Sequence, residues 1–165
     1  PGNAINARES NPMGGLYFEE YTDDWHYRTE EKTITEEMIG TFVEQFGFTS
    51  PTYPDREYVN RQYAGRMAPG LVVTSVAEGL VLSAGLTRRR GIYLMELTPK
   101  FLKPVYAGDS ISNHVSLHSK RLTSKPDRGV VVTDHEVVTG KGDVAIRYQA
   151  VRMIRTRKFI EEAPS

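Results

Sequence analysis

Any reaction run by this chain would have to start from a short stretch, FGFTSPTYPD, at residues 46–55. Gly47, Pro51 four residues on, and then Asp55 give it the rhythm of a catalytic loop. Proton transfer needs an acid or a base within hydrogen-bonding reach of the reacting atoms. Where a carboxylate and an imidazole would make such a pair, the stretch has Phe48 and Tyr53. Phenylalanine carries no proton, and a phenol with an ordinary pKa of ~10 is a poor base at neutral pH.

Other residues could stand in. Glu78 lies inside an apolar run, where a carboxylate with a raised pKa could act as a relocated base. Its plainer reading is a helix-interior acid paired with an arginine. Tyr53 could donate a hydrogen bond to a substrate group, or fill space as an aromatic wedge. His114 and His118 stand four apart. On a strand they share a face at ~13 Å, too far to chelate one ion easily, so an exposed pair is expected. His135, between Asp134 and Glu136, is expected at the surface, and His26 beside Trp25 either lines a cleft or packs. Arg88, Arg89 and Arg90 follow the apolar run and could meet phosphate oxygens or the negative end of a helix. Lys100, Lys103 and Lys120 are weaker candidates of the same kind. No nucleophile elbow or phosphate-binding loop is present, and GKGDVA precedes a strand, the wrong setting for a dinucleotide fingerprint.

Helices and strands must position these groups. Thr35 can cap a helix whose first turn carries Glu36 and Glu37, with Ile34 stapled onto Ile39. Met38, Ile39, Phe42, Val43 and Phe46 then form one apolar stripe, ended by Gly47 and Pro51. A second helix is expected from about Pro69 to Ala84, with proline in a tolerated first-turn position. It is apolar nearly all round and must be covered nearly all round. REYVNRQYA reads as a short helix, and GLYFEEYT as a short strand or extended arm. GIYLMELTPKFLKPV, DSISNHVSLHSKRL, GVVVTDHEVVT and DVAIRYQAVRMIRT read as strands, the last with clear period-two alternation. SKPDRG and GKGD are turn chemistry between them. The class expected is α+β: an antiparallel meander around one enveloped helix.

At 165 residues the chain is expected to form one domain, residues 16–156, between a mobile N-terminal tail at 1–15 and a C-terminal tail at 157–165. Lysine plus arginine, 21, equals aspartate plus glutamate, 21, which argues against nucleic acid or an anionic membrane as partner. There are no cysteines, so thiolate chemistry and Cys-based zinc sites are excluded. No stretch reads as a signal peptide or a membrane span, and a cytoplasmic location is expected.

Three blocks together resemble the MaoC-like, (R)-specific enoyl-CoA hydratase family. RMAPGLVVTSVAEGL looks like the family's lead-in to its central helix, and GIYLMELTPKFLKPVYAGDSI like the strand and "F…PV…GD" turn that follow. FGFTSPTYPDREYV matches the hydratase loop, G-D-x-N-P-x-H-x-D-x-E-Y. The resemblance covers roughly residues 16–156 and implies the hotdog fold, a curled antiparallel sheet around one long helix. In this family the loop's aspartate and histidine activate water for addition to a 2-enoyl thioester, and a backbone N–H polarises the thioester carbonyl. Gly47, Pro51, Asp55, Glu57 and Tyr58 keep the pattern. Phe48 stands at the catalytic aspartate, Ser50 at the asparagine, Tyr53 at the catalytic histidine, and Pro69 at a histidine often found before the helix. Gly70 falls on the oxyanion donor.

The resemblance therefore implies an acyl-thioester hydratase or dehydratase with an altered site, acting on a 2-enoyl-CoA or a 3-hydroxyacyl-CoA. Ser50, Pro51, Asp55, Pro69, Leu71, Arg88 and Arg89 are its candidate substrate contacts, and coenzyme A or an acyl carrier holds the thioester. No cofactor or metal is expected. A homodimer or larger homo-oligomer is expected, because the family's site lies at a dimer interface. Two alternatives stay open: a non-catalytic acyl-thioester-binding protein or subunit, and a thioesterase using Glu78.

Overall fold

The computed structural model describes residues 14–48, 50 and 65–161. Strands β1 (His26–Arg28) and β2 (Lys32–Thr33) precede helix α1 (Glu36–Phe46). Helix α2 (Gly70–Ser83) leads into β3 (Gly91–Phe101), β4 (Ser110–Leu122), β5 (Arg128–Thr139) and β6 (Val144–Arg155), and a short α3 (Lys158–Glu161) closes the chain. The expected α+β class is observed: one antiparallel sheet in the order β1-β4-β5-β6-β3, with β2 also pairing β4.

Local chemistry explains the helix ends. Thr35 Oγ1 accepts the Met38 N–H at 3.1 Å, satisfying a donor that the first turn cannot. Gly47 stops α1 in the left-handed region at φ 68°, where a side chain would be strained. Pro69 is the N-cap of α2 and Ala84 its C-cap, as the sequence pattern requires.

Long antiparallel strands follow from short turns and alternation. In β6 the even-numbered Ile146, Tyr148, Ala150, Arg152 and Ile154 are all buried. Ile146, Tyr148 and Ala150 pack with Val73 and Ala77 of α2, Ile39 of α1, and Ile111 and Val137 of β4 and β5. A second cluster joins Val81 and Leu86 to Leu16, Phe18, Tyr21, Val115, Val131 and Ile154. Each fully buried aliphatic contributes roughly 1.5–3 kcal/mol from leaving water, so these clusters supply much of the drive to fold.

Two expectations are corrected, on GLYFEEYT and on the covering of α2. GLYFEEYT forms a single 3-10 turn, Phe18–Glu20, in place of a strand, because Glu20 Oε2 reaches back to accept the Tyr17 N–H at 2.8 Å. The C-terminal tail carries α3, where the Arg155 guanidinium lies 3.7 Å from the centre of the Phe159 ring. Helix α2 is covered on one side only: Val72, Val73, Thr74, Ala77 and Val81 are buried, but Leu71 is 52% and Leu82 58% exposed. One sheet shields one face of a helix, so the rest of an apolar helix needs something else to cover it. The reading of REYVNRQYA as a helix falls outside the described residues.

Candidate active-site cleft

A cleft of about 530 Å³ opens at the N-terminal end of α2. Phe48 reaches it from the end of α1, Pro69, Gly70, Leu71 and Val73 from α2, and Ile146 from β6. Phe101, Leu102 and Lys103, at the end of β3, form its mouth. The Val72 and Val73 N–H groups both turn back to the Pro69 carbonyl, at 2.9 and 3.3 Å. Gly70 and Leu71 therefore precede the first intrahelical bond, and their N–H groups stand at the positive end of the helix dipole. A Cβ at Gly70 would sit 2.4 Å from Cε1 of Phe101, so a side chain there would have to displace that half-exposed ring. Phe48 packs on Phe42, with ring centres 4.9 Å apart, and against the core. Among the described lining residues Lys103 alone titrates, and its Nζ is tied to Asp143 at 2.5 Å. The cleft is an apolar slot with backbone donors at one end.

Glu78 lies two turns further along α2, ~12 Å from Gly70 at 1.5 Å per residue. It closes a circuit of hydrogen bonds between helix and sheet. Its carboxylate accepts from the Arg152 guanidinium and, at 2.6 Å, from the Tyr148 hydroxyl. Tyr148 in turn accepts from Asn113 Nδ2 at 2.7 Å, and that same amide nitrogen also reaches the Ala77 carbonyl at 3.1 Å. Asn113 Oδ1 then accepts from His135 Nδ1 at 3.2 Å, which leaves His135 Nε2 to accept from the Thr133 hydroxyl at 2.8 Å. Arg152 Nη1 donates to Thr133 at 3.3 Å and returns the ring to its start. Burial, reinforced by the Arg152 charge, holds the His135 pKa down to about 3, so the imidazole is neutral, as this pattern demands. Burial and the adjacent Glu78 charge push the Tyr148 hydroxyl up, so it stays a donor.

No family model matches the chain, and no curated protein matches it. Solved structures do. A MaoC-like dehydratase from Rhodospirillum rubrum is 20% identical, with 87% of this chain and 99% of that one covered at a TM-score of 0.77. An (R)-hydratase from Pseudomonas aeruginosa is 19% identical, with 87% and 88% covered at 0.71. A Mycobacterium tuberculosis protein described as a double hotdog fold is 17% identical, covering 93% of this chain and 47% of that one at 0.78. The fold is a hotdog. MaoC-like dehydratases and (R)-hydratases are among its structural neighbours.

Within this hotdog the candidate residues separate into groups. Phe48, Pro69, Gly70 and Leu71 come together in the cleft. Ser50 is described but lies outside the lining. Pro51, Tyr53 and Asp55 fall outside the described residues. Glu78 takes the plainer of its two expected roles, as the partner of Arg152. Arg88 and Arg89 follow the far end of α2, ~20 Å from Gly70 by helix length, and do not reach this cleft within one chain.

His135 overturns its surface expectation: it is 1% exposed. The signal was in β5, where Val131, Thr133, His135 and Val137 share one face and are all buried, while Asp134 and Glu136 turn outward. His114 is half-buried rather than exposed, and burial followed by the Arg28 charge lowers its pKa. His118 is exposed as expected and contacts Asp134 at 2.8 Å.

A wider hollow of about 830 Å³, which sequence reasoning missed, lies on the opposite sheet face. Register sets two cross-strand rows there: Arg28, His114, Glu136, Arg147 and Lys100, then His26, Ser116, Asp134, Gln149 and Thr98. Glu136 pairs there with Arg147 at 2.8 Å, and His118 Nδ1 lies 2.8 Å from Asp134 Oδ2. The smaller cleft has the directed donors, so it is the stronger candidate. Among the described residues no cluster of His, Asp or Glu could hold a metal, and no helix is long and apolar enough to cross a membrane.

Proposed function

We propose that this chain binds a 2-enoyl or 3-hydroxyacyl thioester in the cleft at the N-terminus of α2. The thioester carbonyl takes the Gly70 N–H, and the acyl chain lies against Val73, Phe48 and Ile146. One observation carries this reading: backbone donors at a helix N-terminus face an apolar slot. Such donors stabilise negative charge developing on a carbonyl oxygen.

Hydration would also need a base to take a proton from water as its oxygen bonds to the β-carbon, while an acid delivers a proton to the α-carbon. The described lining supplies no base, and its one ionisable group, Lys103, is tied to Asp143. Glu78 is held by two donors away from the slot, which disfavours the relocated-base and thioesterase readings. Binding without the usual acid–base pair is therefore the reading the geometry supports best. Turnover of the same thioesters is the second, kept by the neighbouring dehydratases and hydratases.

The test is a panel of 2-enoyl-CoAs of different chain lengths, followed by loss of the enoyl absorbance and by melting temperature. Binding predicts a rise in melting temperature with no turnover. Turnover that survives Glu78→Gln and falls with Tyr53→Phe would establish the second reading instead. A melting temperature unmoved by every thioester, with no turnover, would sink both.

A further inference from the structure

The hollow of about 830 Å³ stands back to back with the cleft: Ile146 lines the cleft, and Arg147, the next residue of β6, lines the hollow. Successive residues of a strand turn to opposite faces, so the two spaces share a sheet but no lining residue. Every side chain in the two outward rows of the hollow is polar, which suits a hydrated ligand and not an acyl chain.

The first row, Arg28, His114, Glu136, Arg147 and Lys100, sets one acid against three permanent cations. Lys100 stands directly opposite Arg147, and like charges so placed weaken a strand pair. Glu136 accepts from Arg147 Nε at 2.8 Å, and neither Nη of that guanidinium has a partner among the described residues. Lys100 Nζ has none there either. The next acid on β3, Glu96, is four residues along the strand, ~13 Å away. Two cations therefore converge at this end of the hollow without an anion between them.

The second row offers groups of a different kind. Asp134 accepts from Gln149 Nε2 at 2.9 Å and from His118 Nδ1 at 2.8 Å, and each oxygen keeps a lone pair for a further donor. His26 Nδ1 lies 2.9 Å from the Asp24 carbonyl, which only accepts, so the neutral ring carries its hydrogen there and keeps Nε2 as an acceptor. Ser116 is paired in register with both His26 and Asp134, and its hydroxyl has no partner among the described residues. Asp134 is one strand and Ser116 two strands from Arg147, ~5 and ~10 Å across the sheet.

We propose that this hollow binds an anionic polyol, a sugar phosphate or a sugar acid. Its anion lies between Lys100 and Arg147, and its hydroxyls lie over Ser116, Asp134 and His26. Guanidinium bonds to phosphate or carboxylate oxygens are charge-assisted, and the free Nη pair suits two-point contact. The bound anion also relieves the Lys100–Arg147 repulsion. The site is independent of the thioester reading.

Calorimetric titration of the full chain tests it with glucose 6-phosphate, ribose 5-phosphate and gluconate, set against glucose and inorganic phosphate. At least one anionic polyol is expected to bind at one site per chain, with glucose and inorganic phosphate ~tenfold weaker or worse. Binding of the phosphates alone identifies a sugar phosphate, and binding of gluconate alone a sugar acid. Lys100→Gln leaves the Glu136–Arg147 pair intact and should weaken the bound probe ~tenfold or more. Ser116→Ala should weaken the polyol and leave inorganic phosphate unchanged. Both positions are exposed, so both variants should keep the wild-type urea midpoint. Failure of every anionic polyol to bind, a polyol affinity no tighter than that of inorganic phosphate, or an affinity unmoved by Lys100→Gln would overturn the proposal.

Discussion

Removing Glu78 tests the interior circuit, and its cost can be worked from the contacts. Glu78→Ala takes away the acceptor of both the Arg152 guanidinium and the Tyr148 hydroxyl. The Arg152 side chain is only 10% exposed, so its charge would be left nearly without water or partner. Breaking a buried ion pair from one side costs about 3–5 kcal/mol, most of it the price of the stranded charge. Replacing both members with apolar groups of similar volume strands nothing, so Glu78→Leu/Arg152→Met should cost less than either single change. For a chain of this size 1 kcal/mol moves the melting temperature by about 2–4 °C, which puts the single-variant loss at roughly 6–20 °C. Urea unfolding at fixed protein concentration measures all the variants, concentration being fixed because association would add to stability. A Glu78→Ala loss below about 1 kcal/mol would refute the reasoning. So would a double variant as unstable as the sum of its singles, because the pair would then not be coupled.

Three further outcomes follow from the same contacts. His135 has its folded pKa pushed down to about 3 from an unfolded value near 6.5, so the unfolded chain binds the extra proton first. Its contribution is complete above pH ~6.5 and is lost toward pH ~3 at up to ~1.4 kcal/mol per unit; urea midpoints at pH 4.5 and 7 should differ less for His135→Gln than for the wild type, and equal differences would count against the assignment. Gly70→Ala drives a methyl into the Phe101 ring and should destabilise by about 1–3 kcal/mol; Phe101→Leu in the same chain should recover part of that, and no recovery would mean the glycine is required for something else. Phe48→Asp with Tyr53→His should create or raise hydration of crotonyl-CoA, read by absorbance, and a folded double variant without activity would show that the loop does not meet the cleft.

How much was legible depended on how local the deciding forces are. Thr35, Gly47 and Pro69 act within one turn of chain, and their helix ends are where the sequence pattern puts them. The limits of β4, β5 and β6 were also readable, because alternation and turn residues are local, whereas β3 ends at Phe101, short of the expected Val105, and β1 and β2 were not expected. His135 sits between two charged residues that turn outward, and its burial follows only from the alternate face of β5, Val131 to Val137. The partner of Glu78 was not readable either: Arg152 is seventy-four residues away, and nothing local says which arginine a helix acid will meet. The cleft was half legible. Gly70, Pro69 and Leu71 are contiguous, but Phe101 reaches Gly70 only through the sheet.

The left-handed residue at the end of α1 has one more consequence. By reversing the chain at Gly47 it returns Phe48 onto Phe42, and Phe42 also meets Phe46 at 4.8 Å. Three aromatic rings thus clamp the point from which the loop departs, and the first residue of that loop is a mechanical anchor. An acid in its place would forfeit part of the roughly 1.5–3 kcal/mol that full burial of such a side chain contributes, since Phe48 is partly buried, and an aromatic contact of roughly 0.5–1.5 kcal/mol. Acquiring proton-transfer chemistry at residue 48 therefore requires a compensating stabilisation elsewhere first. The anchor acts as a ratchet: a single substitution at this position gives up grip before it can supply reactivity.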